Sequence, residues 1–164
     1  MFDLIKLFFD ICLLKKAPQY LPYSVNLLKI LAIINIAINF LLINMGIYWF
    51  SALLEAVAGV LLVGGFSWIC LFFNRKSTRF CQMTCALLGA DALIDFFAIP
   101  VIATMALNQG GLLVFLVMIA LIIWHWLVTG HIIRNSLEQS FIFSLGLAFL
   151  YLVASYKITA LIIS

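Results

Sequence analysis

The sequence predicts an all-α protein: a polytopic membrane helix bundle with five transmembrane helices, preceded by an amphipathic helix in the membrane interface. Composition is the first observation, since 67% of the 164 residues are hydrophobic and only 9% are charged, against about 25% in an ordinary soluble domain. The apolar residues also fall into five long stretches, each with the roughly 20 residues that a helix needs to cross the hydrocarbon core. The connections between these stretches are short, so little of the chain remains for any other domain.

The first predicted element is an interfacial helix over residues 1–16. Asp3, Lys6 and Asp10 fall in one narrow stripe at the helical period, and the rest of the circumference is apolar. The segment is too short to cross a bilayer before the pair of lysines that ends it, and it has no small-residue cleavage site of a signal peptide. A helix of this kind lies on the membrane with its apolar face in the lipid.

The second predicted element is an elbow over residues 17–23. Pro18 and Pro22 interrupt the helix, because proline disfavours helical conformation in the residue before it. Tyr20 and Tyr23 suit the level of the lipid headgroups, where tyrosine is enriched. The chain therefore turns here from the interface into the first span.

Five predicted spans follow, each bounded by a short polar connection. They cover about residues 24–44, 47–73, 80–107, 112–132 and 141–163. The connections are residues 44–46, 74–79, 108–111 and 133–140. Loops this short make consecutive spans antiparallel neighbours.

The basic residues predict the orientation, because short loops rich in Lys and Arg stay in the cytoplasm. With the N-terminus inside, eight of the nine Lys and Arg residues fall on the cytoplasmic side. Lys157 is the exception, and it is near enough to the outer end of span five to extend its ammonium group to the headgroups. We therefore expect a cytoplasmic N-terminus and a C-terminus outside.

Two polar pairs recur at spacing i, i+4 inside the spans. Asn35 and Asn39 share one face of span one, and Asp91 and Asp95 share one face of span three at a matching depth. We expect all four to meet near the middle of the membrane, because a lone polar group in hydrocarbon is costly. The cluster is either interhelical glue, the commoner role, or a protonation or cation site, since one bound proton relieves the repulsion between adjacent carboxylates.

Two further ionisable residues lie within the predicted spans. Glu55 sits among small residues of span two and should face protein, either in a network with Asp95 or as a protonated acid bonded to a neighbouring helix. His125 in span four is either a neutral histidine bonded to a neighbour or a proton relay with Asp91.

Two helix faces carry the small and polar residues that allow a second helix to approach closely. These faces consist of Ser51, Ala52, Glu55 and Gly59 in span two and of Ser144, Tyr151 and Ser155 in span five. They exceed what a five-helix bundle needs internally. We therefore interpret them as a seam for a partner helix.

No catalytic, cofactor or metal pattern is found in the sequence. It lacks Gly-x-Ser-x-Gly, His-Glu-x-x-His and a phosphate-binding Gly-rich loop. The cysteines project to the predicted inner half, where thiols stay reduced, and their spacing is not that of a zinc ribbon: Cys12, Cys70, Cys81 and Cys85. We expect no catalytic residue, no metal and no cofactor, and a net charge of +3 is too small for a nucleic-acid partner.

The layout carries a family resemblance. The chain has a Pro-containing elbow (KKAPQYLPYS), five tightly connected spans, and a Trp-bearing fourth span that runs through GHIIRNSLEQSF into the fifth. Over about residues 15–160 this pattern resembles the bacterial branch of the Yip family, small five-span proteins named for interaction with Rab-type GTPases in eukaryotes. The eukaryotic Asp-Leu-Tyr-Gly-Pro and Gly-Tyr motifs are not found in the sequence, so no residue role is carried over. The resemblance implies a noncatalytic membrane protein that works through helix partners.

Two functions follow from these observations. The first is a small multi-pass protein of a bacterial inner membrane that binds other membrane proteins or itself within the lipid bilayer, as an accessory or assembly subunit or a homo-oligomer, without catalysis. The alternative is a proton- or cation-coupled transporter or channel subunit. Its protonatable site would consist of Asp91, Asp95 and Glu55.

Overall fold

A computed structural model describes residues 2–45, 48–107 and 111–163, with side chains for residues 3–45, 48–107 and 111–161. These residues form helices and no strand. The α-helices are α1 (Phe2–Cys12), α2 (Val25–Asn44), α3 (Trp49–Phe73), α4 (Phe80–Ala106), α5 (Leu112–Leu137) and α6 (Phe141–Ile163). Single turns of 3-10 helix lie at Pro18–Tyr20 and Ser77–Arg79.

Helices α2 to α6 are long and apolar enough to cross a membrane. Their outward faces expose large hydrophobic side chains that water would not solvate well, among them Leu61, Phe96, Phe115, Ile142 and Phe149. In lipid, a helix satisfies its own backbone groups and can present such side chains to acyl chains. The predicted all-α membrane bundle is confirmed.

The five long helices form a ring around a common axis. Helix α2 packs against α3 and α4, helix α5 packs against α4 and α6, and α3 closes the ring by packing against α6. Helix α3 also contacts α4. Side chains on the inner face of each helix therefore converge on one axis.

One end of the ring, where α3 joins α4 and α5 joins α6, is held by an ionic cluster; we call it the basic end. Glu138 accepts from Lys76 at 2.6 Å and from Arg79 at 2.7 Å. These hydrogen bonds lower the pKa of the Glu138 carboxyl. The cluster connects the two neighbouring inter-helix loops.

The half of the bundle next to the basic end is densely packed. Its interior is filled by large side chains with at most 1% exposure: Leu71, Met83, Leu87, Leu88, Val128, Ile132, Ile133 and Leu137. Close packing of this kind excludes water. The axis is therefore closed on this side.

Helix α5 continues through Leu137, so the prediction of a loop over 133–140 is wrong for residues 133–137. The segment 133–137 contains neither Gly nor Pro, and Ile133 and Leu137 are buried in the packed half. The helix ends where Glu138 takes a left-handed backbone conformation with φ of 56°. The polar residues Arg134, Asn135 and Ser136 are therefore part of helix α5 and do not end it.

Helix α1 docks on α4 and α5 through one face. Phe8 and Cys12 are buried while Asp3 is exposed, and the Phe8 ring covers Gly89 so closely that a Cβ there would overlap it. The helix ends at Cys12, four residues before the predicted end, and Leu14 follows with φ of 61°. Burial, with the nearby Asp91 carboxylate, raises the pKa of the Cys12 thiol to about 12. An interfacial position for α1 stays a prediction.

The elbow is anchored at the basic end. Gln82 donates to the carbonyl oxygens of Gln19 at 3.2 Å and Leu21 at 2.9 Å, and Gln19 donates to the carbonyl of Asn135 at 2.8 Å. After the elbow, the Ser24 side chain caps α2 by accepting from the Leu27 amide.

Candidate functional site

A cavity of about 230 Å³ lies on the axis of the ring, and we call it the axial cavity. All five long helices contribute to its wall. The lining residues are Asn35, Asn39 and Ile43 of α2, Glu55, Ala56, Gly59 and Val63 of α3, Asp91 and Asp95 of α4, His125 of α5, and Tyr151, Ser155, Tyr156 and Thr159 of α6.

The axial cavity extends from the middle of the bundle toward the end opposite the basic end. Asp91 and His125 lie near the middles of α4 and α5. Ile43 is next to the last residue of α2, and Glu55 is in the second turn of α3, which starts at that same end. The molecule therefore has a packed half and a hollow half.

Asn39 and Asp95 make the contact between α2 and α4 that the spacing predicts. Asn39 Nδ2 donates to Asp95 Oδ2 at 2.9 Å and also lies 3.3 Å from Asn35 Oδ1. Asn35 Nδ2 donates to the backbone carbonyl of Leu88 at 3.3 Å, and Asn35 lines the same cavity as Asp91. Asn35 thus joins the two helices by a backbone contact nearer the basic end.

Asp91 pairs with a third helix. His125 Nε2 and Asp91 Oδ1 are 2.9 Å apart, so the sequence-level hypothesis that linked these residues has the geometry it requires. Either the ring N–H donates to a carboxylate or a protonated acid donates to a neutral ring. In both forms the pair holds a proton between its two polar atoms, beside the axial cavity.

The tryptophans on either side of His125 fix the orientation of α5. Trp124 Nε1 donates to the carbonyl of Cys12 at 2.9 Å, and Trp126 Nε1 donates to the carbonyl of Leu145 at 2.9 Å. These bonds attach α5 to α1 on one side and to α6 on the other. With both neighbours held outward, His125 faces the axis.

Glu55 faces protein, as predicted, but its hydrogen bonding differs from either expectation. Its Oε2 atom is buried and has no hydrogen-bond partner among the described residues, although Glu55 lines the same cavity as Asp95. The adjacent Gly59 also borders empty space, since a Cβ there would meet no atom of the described residues within 4 Å. A buried polar atom without a partner costs free energy.

The predicted partner-helix seam is used inside the chain, so that interpretation is wrong. Ala52 and Ser144 are fully buried, and four other seam residues line the axial cavity: Glu55, Gly59, Tyr151 and Ser155. Ser51 is only half-buried on the same helix. A ring of helices needs small and polar residues facing its axis, and the helical period identifies such a face without showing whether its neighbour belongs to the same chain.

The end of α6 forms part of the wall, where Tyr156 and Thr159 line the cavity. The helical period places Thr159 on one polar stripe with Tyr151 and Ser155, and its Oγ1 donates to the carbonyl of Ser155 at 3.0 Å. Sequence reasoning missed Tyr156. Tyr156 lies off that stripe and had no comparable signal.

Acidic groups outnumber basic groups on the wall. Three carboxyl groups and one histidine line the axial cavity, and the lining includes neither Lys nor Arg. Lys157, the one base predicted near the outer layer, is exposed on the outside of α6. A site of this composition attracts protons or cations and repels anions.

A metal site is not formed by the described side chains. Within residues 3–45, 48–107 and 111–161, no three His, Cys, Asp or Glu side chains are placed to hold a metal ion. The four cysteines are buried, and none of them forms a disulfide within these ranges.

No protein-family model matches the sequence, and no curated protein or solved structure is significantly similar to it. The resemblance to the Yip family therefore stays a prediction. The function has to be argued from the axial cavity.

Proposed function

We propose that this chain is a small membrane transport protein, or the ion-binding subunit of a channel, that binds protons or cations in the axial cavity and acts without catalysis. The observation that supports the proposal is the cavity wall, which brings together Asp91, Asp95 and Glu55 with His125 around about 230 Å³ of space. Acidic groups inside a membrane are costly and are typical of ion pathways and proton relays.

Empty space next to the acids favours this function over interhelical glue. Polar groups that only fix the register of helices are expected to be packed and satisfied by each other. Here the Asn39 to Asp95 bond and the Asp91 to His125 pair border a cavity, and Glu55 keeps a buried, unpartnered oxygen. The site is therefore built with room for something to bind.

The accessory-subunit hypothesis loses one of its supporting observations in this structure. Besides the short loops and the lack of a catalytic pattern in the sequence, it rested on two faces that seemed surplus to a five-helix bundle. Ala52, Ser144 and the cavity-lining members of those faces are occupied within the chain. The flux experiment below can still reveal a partner, if another membrane protein co-purifies with the chain.

We further propose a bacterial inner-membrane location with the basic end in the cytoplasm and the axial cavity facing outward. Support comes from Lys76, Arg79 and Arg134, which cluster at the basic end, as expected for cytoplasmic loops. A C-terminal alkaline phosphatase fusion should be active and a C-terminal green fluorescent protein fusion dark. The reverse pattern would invert the proposed orientation.

Flux through the purified full chain in liposomes tests the function. Proton flux is followed with an entrapped pH-sensitive dye, and cation flux with radiolabelled tetramethylammonium. Asp91→Asn and Asp95→Asn should each lower the flux by at least about tenfold, because a neutral amide cannot offset a cation in a medium of low dielectric constant. Both amides preserve the shape of the side chain.

The matched control is Asp3→Asn, which makes the same change at an exposed position of α1 and should leave the flux unchanged. Absence of flux from folded protein would contradict the proposal, as would full flux in Asp95→Asn. A stoichiometric membrane protein that co-purifies with a flux-inactive chain would point to the accessory role instead.

A further inference from the structure

The axial cavity has an apolar neighbour between α4 and α5. This second space, the α4/α5 cleft, has a volume of about 150 Å³, and its wall includes Ala98, Ile102, Met118 and Ile122. Asp95 and His125 line both the cleft and the axial cavity. One acid and one histidine therefore stand at the boundary between a polar and an apolar compartment.

From this juxtaposition we infer that the substrate is an amphiphilic cation, with its positive group beside Asp95 in the axial cavity and its hydrocarbon tail in the α4/α5 cleft. The inference rests on the proposed function and specifies its substrate class. Binding sites commonly combine an apolar wall with a few polar groups that fix the orientation of the ligand. Here the polar wall and the apolar wall belong to two adjoining spaces, just as the charged group and the hydrocarbon tail of an amphiphile are two separate parts.

The position of the cleft suits a ligand that enters from the bilayer. Ile122, on the α5 side of the cleft, is 55% exposed on the outer surface of the bundle. On the α4 side, the small Ala98 is followed by Pro100, which cannot donate a hydrogen bond to the preceding turn. A tail already dissolved in lipid can therefore reach Asp95 between the two helices without passing through water.

The acidic lining of the axial cavity argues against anionic and neutral amphiphiles as substrates. Among the described residues, no Lys or Arg lines the cleft or the axial cavity, so an anionic lipid headgroup would meet carboxyl groups and no counter-charge. A neutral amphiphile would leave the carboxyl groups of the axial cavity without a counter-charge. A small inorganic cation would use the axial cavity and make no use of the cleft.

Binding of two ammonium probes to the full chain tests the inference. Radiolabelled tetramethylammonium and octyltrimethylammonium share a headgroup, but only the second has a tail. We expect Ala98→Leu, which fills the cleft, to weaken octyltrimethylammonium binding by about tenfold and to leave tetramethylammonium binding unchanged, since overpacking expels the tail only. Uptake by protein-free micelles is subtracted.

The control is Ala154→Leu, which makes the same change in a groove between α3 and α6 that no carboxyl group lines. This variant should bind both probes as the wild type does. A second measurement does not depend on a variant: octyltrimethylammonium with a diazirine at the end of its tail should label the wild-type chain at residues of the cleft, such as Ile102 or Met118.

The outcomes separate the two proposals. One outcome is that tetramethylammonium binds and crosses the membrane in an Asp95-dependent way while the octyl probe labels only positions outside the cleft. In that case the inference of an amphiphilic substrate is wrong and the proposed function stands. Equal binding of octyltrimethylammonium to the wild type and to Ala98→Leu would also overturn the inference of an amphiphilic substrate. If neither probe binds and no flux is seen, both proposals fail.

Discussion

Gly59 is the residue at which a side chain can be added to the axial cavity without disturbing the packing of the helices. A Cβ at this position meets no atom within 4 Å, and the residue lines the cavity beside Glu55. The effect of the cavity volume on flux can therefore be tested separately from the effect of the carboxyl groups.

We expect Gly59→Leu to lower cation flux by about tenfold, since its side chain occupies part of the cavity, without loss of stability, because leucine favours a helix over glycine by up to about 1 kcal/mol. Flux in liposomes and thermal unfolding in detergent measure the two effects. Gly64→Leu is the control, since it also adds a side chain to open space on α3 but lies outside the cavity lining. Equal flux losses in the two variants would show that the cavity is not the path.

The pair formed by His125 and Asp91 is expected to be energetically coupled. In a double-mutant cycle of Asp91→Asn and His125→Asn, the coupling should be about 0.5–2 kcal/mol, the range for contacting polar groups in a membrane protein. Unfolding of the single and double variants in mixed micelles measures it. Additive effects would mean that the 2.9 Å contact contributes nothing to folding.

At the scale of elements, the docking of α1 depends on the missing side chain at Gly89. We expect Gly89→Ala to displace the Phe8 ring and release α1, because the added Cβ would overlap the ring. The measurement is maleimide labelling of Cys12 at neutral pH, located by mass spectrometry. In the wild type this thiol is buried and, with a pKa of about 12, is protonated and unreactive.

Two variants control that experiment. Gly146→Ala adds a methyl group where no atom lies within 4 Å, so it should leave Cys12 protected. Phe8→Ala added to Gly89→Ala removes the overlap and should restore docking in part. Protection of Cys12 in Gly89→Ala alone would show that α1 accommodates the methyl group by a small shift.

The connection between the α3–α4 and α5–α6 loops predicts a pH dependence. The pKa of Glu138 is lowered from 4.5 by its bonds with Lys76 and Arg79, so this contribution to stability is present above about pH 4.5 and is lost as the pH falls through the lower folded value. Glu138→Gln should be less stable than wild type at pH 7, and the gap should close on acidification. A gap that widens toward low pH, in thermal unfolding curves, would contradict the assignment.

For the whole molecule, one chain supplies lining residues of the axial cavity from all five long helices, because the ring from α2 to α6 closes on itself. Flux should therefore need a single copy. In liposomes prepared at less than about one chain per vesicle, we expect the fraction of active vesicles to follow the fraction that contains one chain. A dependence on the square of the protein concentration would indicate that a homo-oligomer is the working form.

The sequence predicted the bundle and much of the wall, since hydropathy identifies spans and the i, i+4 spacing of Asp91 and Asp95 places both on one face. It did not predict which neighbours they meet. Counting residues from the span ends resolves depth to about one turn, so it placed all four polar residues at one level but did not show that Asn39 bonds Asp95 while Asn35 bonds a backbone carbonyl. The partner-helix seam was misassigned for a related reason: the order of the helices around the ring is set by packing over the whole chain.

The contrast between the packed half and the hollow half has an electrical consequence. Solvent in the hollow half would carry the potential of the outer solution down to Asp91, so the membrane voltage would fall mainly across the short barrier of Leu87, Leu88, Val128 and Ile132. A monovalent ion that crosses only this barrier would then experience nearly the whole voltage, worth about 2.3 kcal/mol per 100 mV. In the proposed orientation, an interior-negative potential would pull such ions inward from the site and oppose their export.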